Sequence, residues 1–400
     1  NNTGIGNTGL GFNSLMRNMT GKNNVAVGKN ALLFNNADGN TAVGANALSQ
    51  NDIGVSNVAL GDSSMVSNVT GSYNTASGRQ SLALNSTGFG NTAYGFVSLY
   101  NNTSGGQNTA TGTNSLYYNS TGNRNTGSGY QSLNSNTSGD NNTASGTYSQ
   151  FFNTTGSNNT ATGFGSMVFN VSGSANSAYG KESLFNNVTG NNNVAIGDSA
   201  LRANTASGNT AVGSKALLNN ISGNNNIAVG VGALLTNTTG NDNVAIGESV
   251  LKVTTASGLT AVGTRSLTSN TTGTGNTAFG FESLTKNDIG YNNTSIGSQA
   301  LQQNTNGIQN TATGTQSLNG NTTGGGNSAY GYQSLWKSTG DFNTGMGNTS
   351  LFNNISGTGN TGVGSLALLA NTSGNDNTAI GEQAGRFITG SNNTTIGAKA

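Results

Sequence analysis

A pentapeptide of the form Asn-Thr-Ala-x-Gly returns every 16 or 17 residues along this 400-residue chain, and no other feature restricts its fold so tightly. The first full copy is Asn7-Thr8-Gly9-Leu10-Gly11 and the last is Asn393-Thr394-Thr395-Ile396-Gly397. There are 24 starts; 18 of the 23 intervals are 17 residues and five are 16, so the register never slips. The full unit reads N-T-A-x-G-x-x-[SA]-L-x-x-N-x-[ST]-G-x-x, as in 226–242. Helical repeats usually need more than about thirty residues, whereas a unit this short holds one coil of strands and turns. A glycine at position 5 and usually another at position 15 would each cost a helix about 1 kcal/mol. Glycine and asparagine instead suit the positive-φ corners of tight turns.

Composition narrows the choice to order or disorder. Only 32% of residues are hydrophobic and 7% charged, with 63 glycines and no proline, cysteine or histidine. Disordered chains of this polarity normally carry high net charge or abundant proline, but the formal charge here is +1. Scattered single Lys and Arg residues form no basic patch for nucleic acid, and no run of eighteen apolar residues is available for membrane insertion by this segment.

The columns obtained by stacking the units have distinct characters. Alternation along the pentapeptide predicts a strand with successive side chains on opposite faces. Position 3 is Ala in most units and otherwise Gly9, Gly127, Ser295, Gly345, Gly362 or Thr395, which marks an inward site of restricted size. Position 9 is a Leu ladder, with Met65 and Met167 substituting and Gln150 and Gly385 interrupting it. Each Leu is worth about 1.5–3 kcal/mol on burial, making a narrow, one-dimensional core. Position 4 runs through Val43, Leu60, Ser77 and Tyr94, a range no slim core absorbs, and is expected on the opposite strand face. Asn at position 12, as in Asn68, Asn85 and Asn102, can hydrogen-bond from turn to turn like the amide ladders of cross-β assemblies, although turn chemistry alone also explains it.

Asn193-Val194-Ala195-Ile196-Gly197-Asp198-Ser199-Ala200, repeated at Asn243-Val244-Ala245-Ile246-Gly247-Glu248-Ser249, closely resembles the head repeat of YadA-like trimeric autotransporter adhesins. Similar modules occur in some phage tail-fibre shafts and other bacterial surface proteins. The resemblance covers essentially the whole chain, although the unit here is longer by its N-x-[ST]-G corner. It implies a left-handed parallel β-roll, a homotrimer of rolls packed side by side, and an extracellular or cell-surface location.

Candidate sites are few. Asn85, Asn119, Asn153, Asn237 and Asn321 head N-x-[ST] triplets that match glycosylation acceptors, although rungs about 4.8 Å apart leave little room for glycans, and turn structure accounts for the same residues. Thr109-Ala110-Thr111 and Thr160-Ala161-Thr162 match ice-binding ladders locally, but position 4 changes to Tyr179, Ile196 and Phe279. Asp198, Glu248 and Glu382 are isolated at position 6, where a solvated face is expected, and suggest no metal site. Without His or Cys there is no Ser-His or Cys-His nucleophile, and no pair of carboxylates recurs at an acid–base spacing. Gly324-Gly325-Gly326 lacks the Lys-Ser/Thr of a phosphate loop. Aromatic pairs at positions 4 and 6, such as Tyr94/Phe96, Phe279/Phe281 and Tyr330/Tyr332, suit lateral contacts between chains or sugar platforms.

The expectation is therefore an all-β, parallel β-solenoid (left-handed β-roll) of about 24 turns of 16–17 residues, continuous over 1–400 and part of a longer fibre. The expected function is a structural extracellular fibre or adhesin shaft, self-associating as a homotrimer or fibre, with no cofactor and no enzymatic activity. The alternative is a flat-face binding module for a host surface glycan or for ice.

Overall fold

Thr or Val at position 2 and Ala at position 3 favour extended backbone, and the Gly at position 5 ends it at a corner. In the computed structural model, which describes residues 3–400, each pentapeptide accordingly forms a three-residue strand. The chain divides into two compact units, Asn1–Thr205 and Ala206–Ala400. The first carries twelve strands, β1 (Thr8–Leu10) to β12 (Val194–Ile196), and the second twelve more, β13 (Thr210–Val212) to β24 (Thr394–Ile396). Within each unit successive strands pair in parallel and in register, Ala76 beside Ala93 and Ala93 beside Ala110 in the first, Ala228 beside Ala245 and Ala245 beside Ala261 in the second. The 16-residue turn from Asn243 keeps this register because its missing residue comes out of the corner that follows position 12. No described residue lies in a helix, so the fold is an all-β parallel β-solenoid.

The corners explain the glycines. Gly78 and Gly95 at position 5 have φ of 144° and 126°, and a Cβ on Gly95 would lie 2.8 Å from the carbonyl carbon of Gly112 on the next rung. Neither the torsion nor the stacking admits a side chain there. At position 15 the constraint is space alone: a Cβ on Gly71 would overlap the Gly88 carbonyl oxygen and Asn68 Oδ1.

Positive φ also falls at positions 7, 9 and 17, and the residue at position 9 is the core leucine itself, with Leu82, Leu99 and Leu116 at 51–52°. A left-handed Leu costs about 1–2 kcal/mol. Its complete burial contributes about 1.5–3 kcal/mol, so each rung gains only a small surplus from this column.

Much of the remaining interior is polar. Asn at position 12 forms the expected ladder: Asn85 Nδ2 donates to Asn68 Oδ1 at 2.7 Å and to the Gly88 carbonyl at 2.9 Å. A second amide ladder runs along position 1, where Asn74 Nδ2 reaches the same Gly88 carbonyl at 2.9 Å and Asn91 N–H donates to Asn74 Oδ1 at 2.9 Å. Both lone pairs of the position-15 carbonyl are thus engaged, one by each ladder. Paired in this way, buried amides avoid the desolvation penalty of orphaned polar groups. Gln150, in the Leu column, is wholly buried; its Nε2 donates to Thr143 O at 2.8 Å, but its Oε1 has no partner.

Candidate interaction surface

With position 3 facing inward, positions 2 and 4 share the outer strand face. In the second unit position 4 is apolar from Val212 to Ile396, with Thr313 the one exception. Its larger side chains remain substantially uncovered: Ile246 is 41% exposed, Phe279 39% and Ile380 44%. In the first unit the same column is mostly apolar toward both ends, apart from Ser77, but polar over four consecutive rungs, Thr111, Ser128, Ser145 and Thr162, which stack in register between Tyr94 and Tyr179. The Thr-x-Thr strands Thr109–Thr111 and Thr160–Thr162 bound this window, and Ser128 and Ser145 break the threonine plane inside it.

A second surface lies where positions 6, 7, 10 and 11 converge, and here the first unit concentrates its aromatic residues. Tyr100 and Tyr117 stack with centroids 5.3 Å apart, and Tyr118 meets Tyr117 edge-on at 4.6 Å. Burial, followed by the neighbouring Tyr118 and Tyr100, raises the Tyr117 phenol above the ordinary tyrosine range. Further along, Phe151 meets Phe152 edge-on and Phe152 stacks on Phe169 at 5.2 Å. Two grooves follow: one of about 460 Å³ between Gln80, Phe96, Asn114, Tyr118 and Gln131, and one of about 380 Å³ between Tyr148, Phe152, Phe164 and Phe185. The second is bordered by Glu182, whose Oε2 accepts from Arg202 Nε at 2.8 Å, with the guanidinium over the Phe185 ring.

The asparagines matching glycosylation motifs lie elsewhere. Asn85, Asn119, Asn153, Asn237 and Asn321 are all wholly buried in the position-12 ladder. Each Nδ2 donates to the preceding ladder asparagine and to the glycine carbonyl of its own corner, at 2.7–3.0 Å. In the folded chain these nitrogens face no solvent. Tyr94, Phe96, Phe279, Phe281, Tyr330 and Tyr332 are exposed, as are Asp198, Glu248 and Glu382. Among the described residues no three His, Cys, Asp or Glu side chains come together to hold a metal ion.

Sequence reasoning passed over the Tyr100–Tyr117–Tyr118 and Phe151–Phe152–Phe169 clusters. The consecutive Tyr117-Tyr118 and Phe151-Phe152 pairs, set immediately after position 9, were the available signal. No protein-family model matches the chain, and no curated protein sequence matches it either.

Proposed function

We propose that the chain is a structural shaft, a segment of an extracellular fibre or adhesin that spaces or attaches a surface, and that copies associate through the outer strand face, as a homotrimer in the arrangement the head-repeat resemblance implies. The observation that carries this reading is the position-4 stripe of the second unit. Leaving a side chain such as Ile246 about 40% exposed forgoes about 0.6–1.2 kcal/mol. Over the seven residues of the stripe that are this exposed it amounts to about 4–8 kcal/mol for each chain, and two facing stripes double it to about 8–17 kcal/mol, comparable with the roughly 4–15 kcal/mol lost on association. An apolar strip of that extent is a recognised mark of a protein interface. Parallel pairing of successive rungs suits a spacing role, since each twelve-strand unit by itself advances about 50–60 Å.

Sedimentation equilibrium of the intact chain and of the Ile246→Lys/Phe279→Lys/Ile296→Lys variant tests the proposal. An oligomer that the three lysines convert to monomer supports it. A chain that is monomeric throughout the accessible concentration range, or an oligomer indifferent to the lysines, refutes it.

A further inference from the structure

Position 7 is a column of left-handed residues whose backbone N–H groups are engaged with the preceding rung, Gln80 with Asp62 O at 2.9 Å and Gln131 with Thr113 O at 3.0 Å. Their side chains are free to point along the surface, and in some stretches of both units they close on each other; in the first unit Asn13 Nδ2 donates to Asn30 Oδ1 at 3.2 Å and Asn30 Nδ2 to Asn46 Oδ1 at 3.1 Å. In the second unit they close on each other: Gln333 Nε2 donates to Gln316 Oε1 at 2.8 Å, Gln316 Nε2 to Gln299 Oε1 at 3.0 Å, and Gln299 Nε2 to Glu282 at 3.3 Å. In the first unit the side-chain amides of Gln80, Asn114 and Gln131 make no hydrogen bond to protein, although Asn114 and Gln131 stand on adjacent rungs. All three line the 460 Å³ groove, together with the exposed rings of Phe96 and Tyr118 and the edge of Tyr117.

We infer that this groove binds a neutral glycan. Unpartnered planar amides offer a donor and an acceptor side by side, which matches the vicinal hydroxyls of a pyranose. Aromatic faces beside them cover the apolar C–H face of the same ring, and a few placed polar groups in an aromatic cleft are the usual makings of a small-ligand site. No charged side chain lines the groove. Arg79, which lies against the Phe96 ring, is itself paired with Asp62 at 3.6 Å. The neighbouring Tyr148–Phe185 groove makes the contrast: it has no side-chain amide, and its one charged side chain, Glu182, is already paired with Arg202. The ordered stacking of Tyr117 on Tyr100 fixes the platform before any ligand arrives.

Isothermal titration of the full chain with cellohexaose, maltohexaose and chitohexaose tests this, alongside Tyr118→Ala, Gln131→Ala and, as a control in the other unit, Phe281→Ala. Tyr118 is 53% exposed, so its removal leaves the core intact, and circular dichroism confirms that each variant is folded. Saturable binding of at least one hexasaccharide, weakened tenfold or more by Tyr118→Ala and by Gln131→Ala and unchanged by Phe281→Ala, is the expected result. Absence of saturable binding for all three sugars, or binding indifferent to Tyr118→Ala and Gln131→Ala, overturns the inference. A monomeric chain that still binds sugar would leave this site standing while removing the shaft reading.

Discussion

Gln150 stands where every neighbouring rung has an apolar side chain, between Leu133 and Met167, and Gln150→Leu should make its surroundings more stable. The backbone is already suited to the exchange, since φ is 51° at Gln150 and 49° at Leu133. Leucine removes the buried Oε1 that has no partner, a penalty of about 1–3 kcal/mol. It sacrifices the Nε2 bond to Thr143 O, worth about 0.5–1.5 kcal/mol net. Asn159 O, the weaker partner at 3.4 Å, keeps its bond from Thr143 N–H at 2.8 Å. With the added apolar contact to Leu133 and Met167, the gain comes to about 1–2 kcal/mol. A global melting curve would report this poorly, because rungs contact only their neighbours and stability is close to a sum of local terms. Native-state hydrogen exchange over residues 143–170 reads it directly. Exchange should slow by about five- to thirty-fold in the variant, matching 1–2 kcal/mol. Unchanged or faster exchange there would refute the claim that the orphaned amide oxygen is a net liability.

Asn119→Ala should do the opposite. It removes the donor to Asn102 Oδ1 (2.9 Å) and the acceptor of Asn136 Nδ2 (2.7 Å), leaving two buried groups short of a partner at about 1–3 kcal/mol each; urea unfolding followed by exchange in the flanking rungs should show a loss of about 2–6 kcal/mol. For Tyr117 the test is alkaline pH. Its folded pKa is raised, so its contribution to stability is intact below the ordinary tyrosine value near 10 and falls as pH rises through the folded pKa. Ultraviolet titration should find a phenol ionising above the ordinary tyrosine value that is absent in Tyr117→Phe, and that variant should lose less stability above pH 10.

The solenoid was legible because its determinants repeat. Size restriction at position 3 identified the inward face from Ala26 to Ala379, and the heterogeneity of position 4 identified the outward one. The position-12 amide ladder was legible from identity alone. Two things were not. The Asn at position 1 looks like the opening of a turn motif, and only the shared carbonyl of Gly88 shows that it forms a second ladder. The left-handed leucines run against intrinsic preference, which points to Asn or Gly at such corners; burial in every rung overrides it. The aromatic–amide groove was hidden for a different reason. It draws on four columns and four rungs, so no single column of the repeat announces it.

One natural double substitution shows how the two amide ladders depend on each other. Thr254 replaces Asn at position 12 and Leu259 replaces Asn at the following position 1, both inside the core. Leu259 keeps its backbone N–H on Asn243 Oδ1 at 2.9 Å, so the ladder ends there on a satisfied acceptor. Asn276, whose Nδ2 would otherwise donate to an asparagine at 259, turns to Asn270 Oδ1 at 3.1 Å. That oxygen also accepts from Asn287 at 2.7 Å, so the position-12 ladder takes up the donor that the position-1 ladder has lost. With Leu259 in place of the position-1 amide, the side-chain donor of Asn276 is rehoused on Asn270, whereas the Asn276 backbone N–H loses the Oδ1 that its counterparts use, such as Asn293 N–H on Asn276 Oδ1 at 2.9 Å. The polar interior is therefore a coupled set rather than a tolerance for polarity, since the position-12 ladder takes up the displaced side-chain donor but not the backbone N–H.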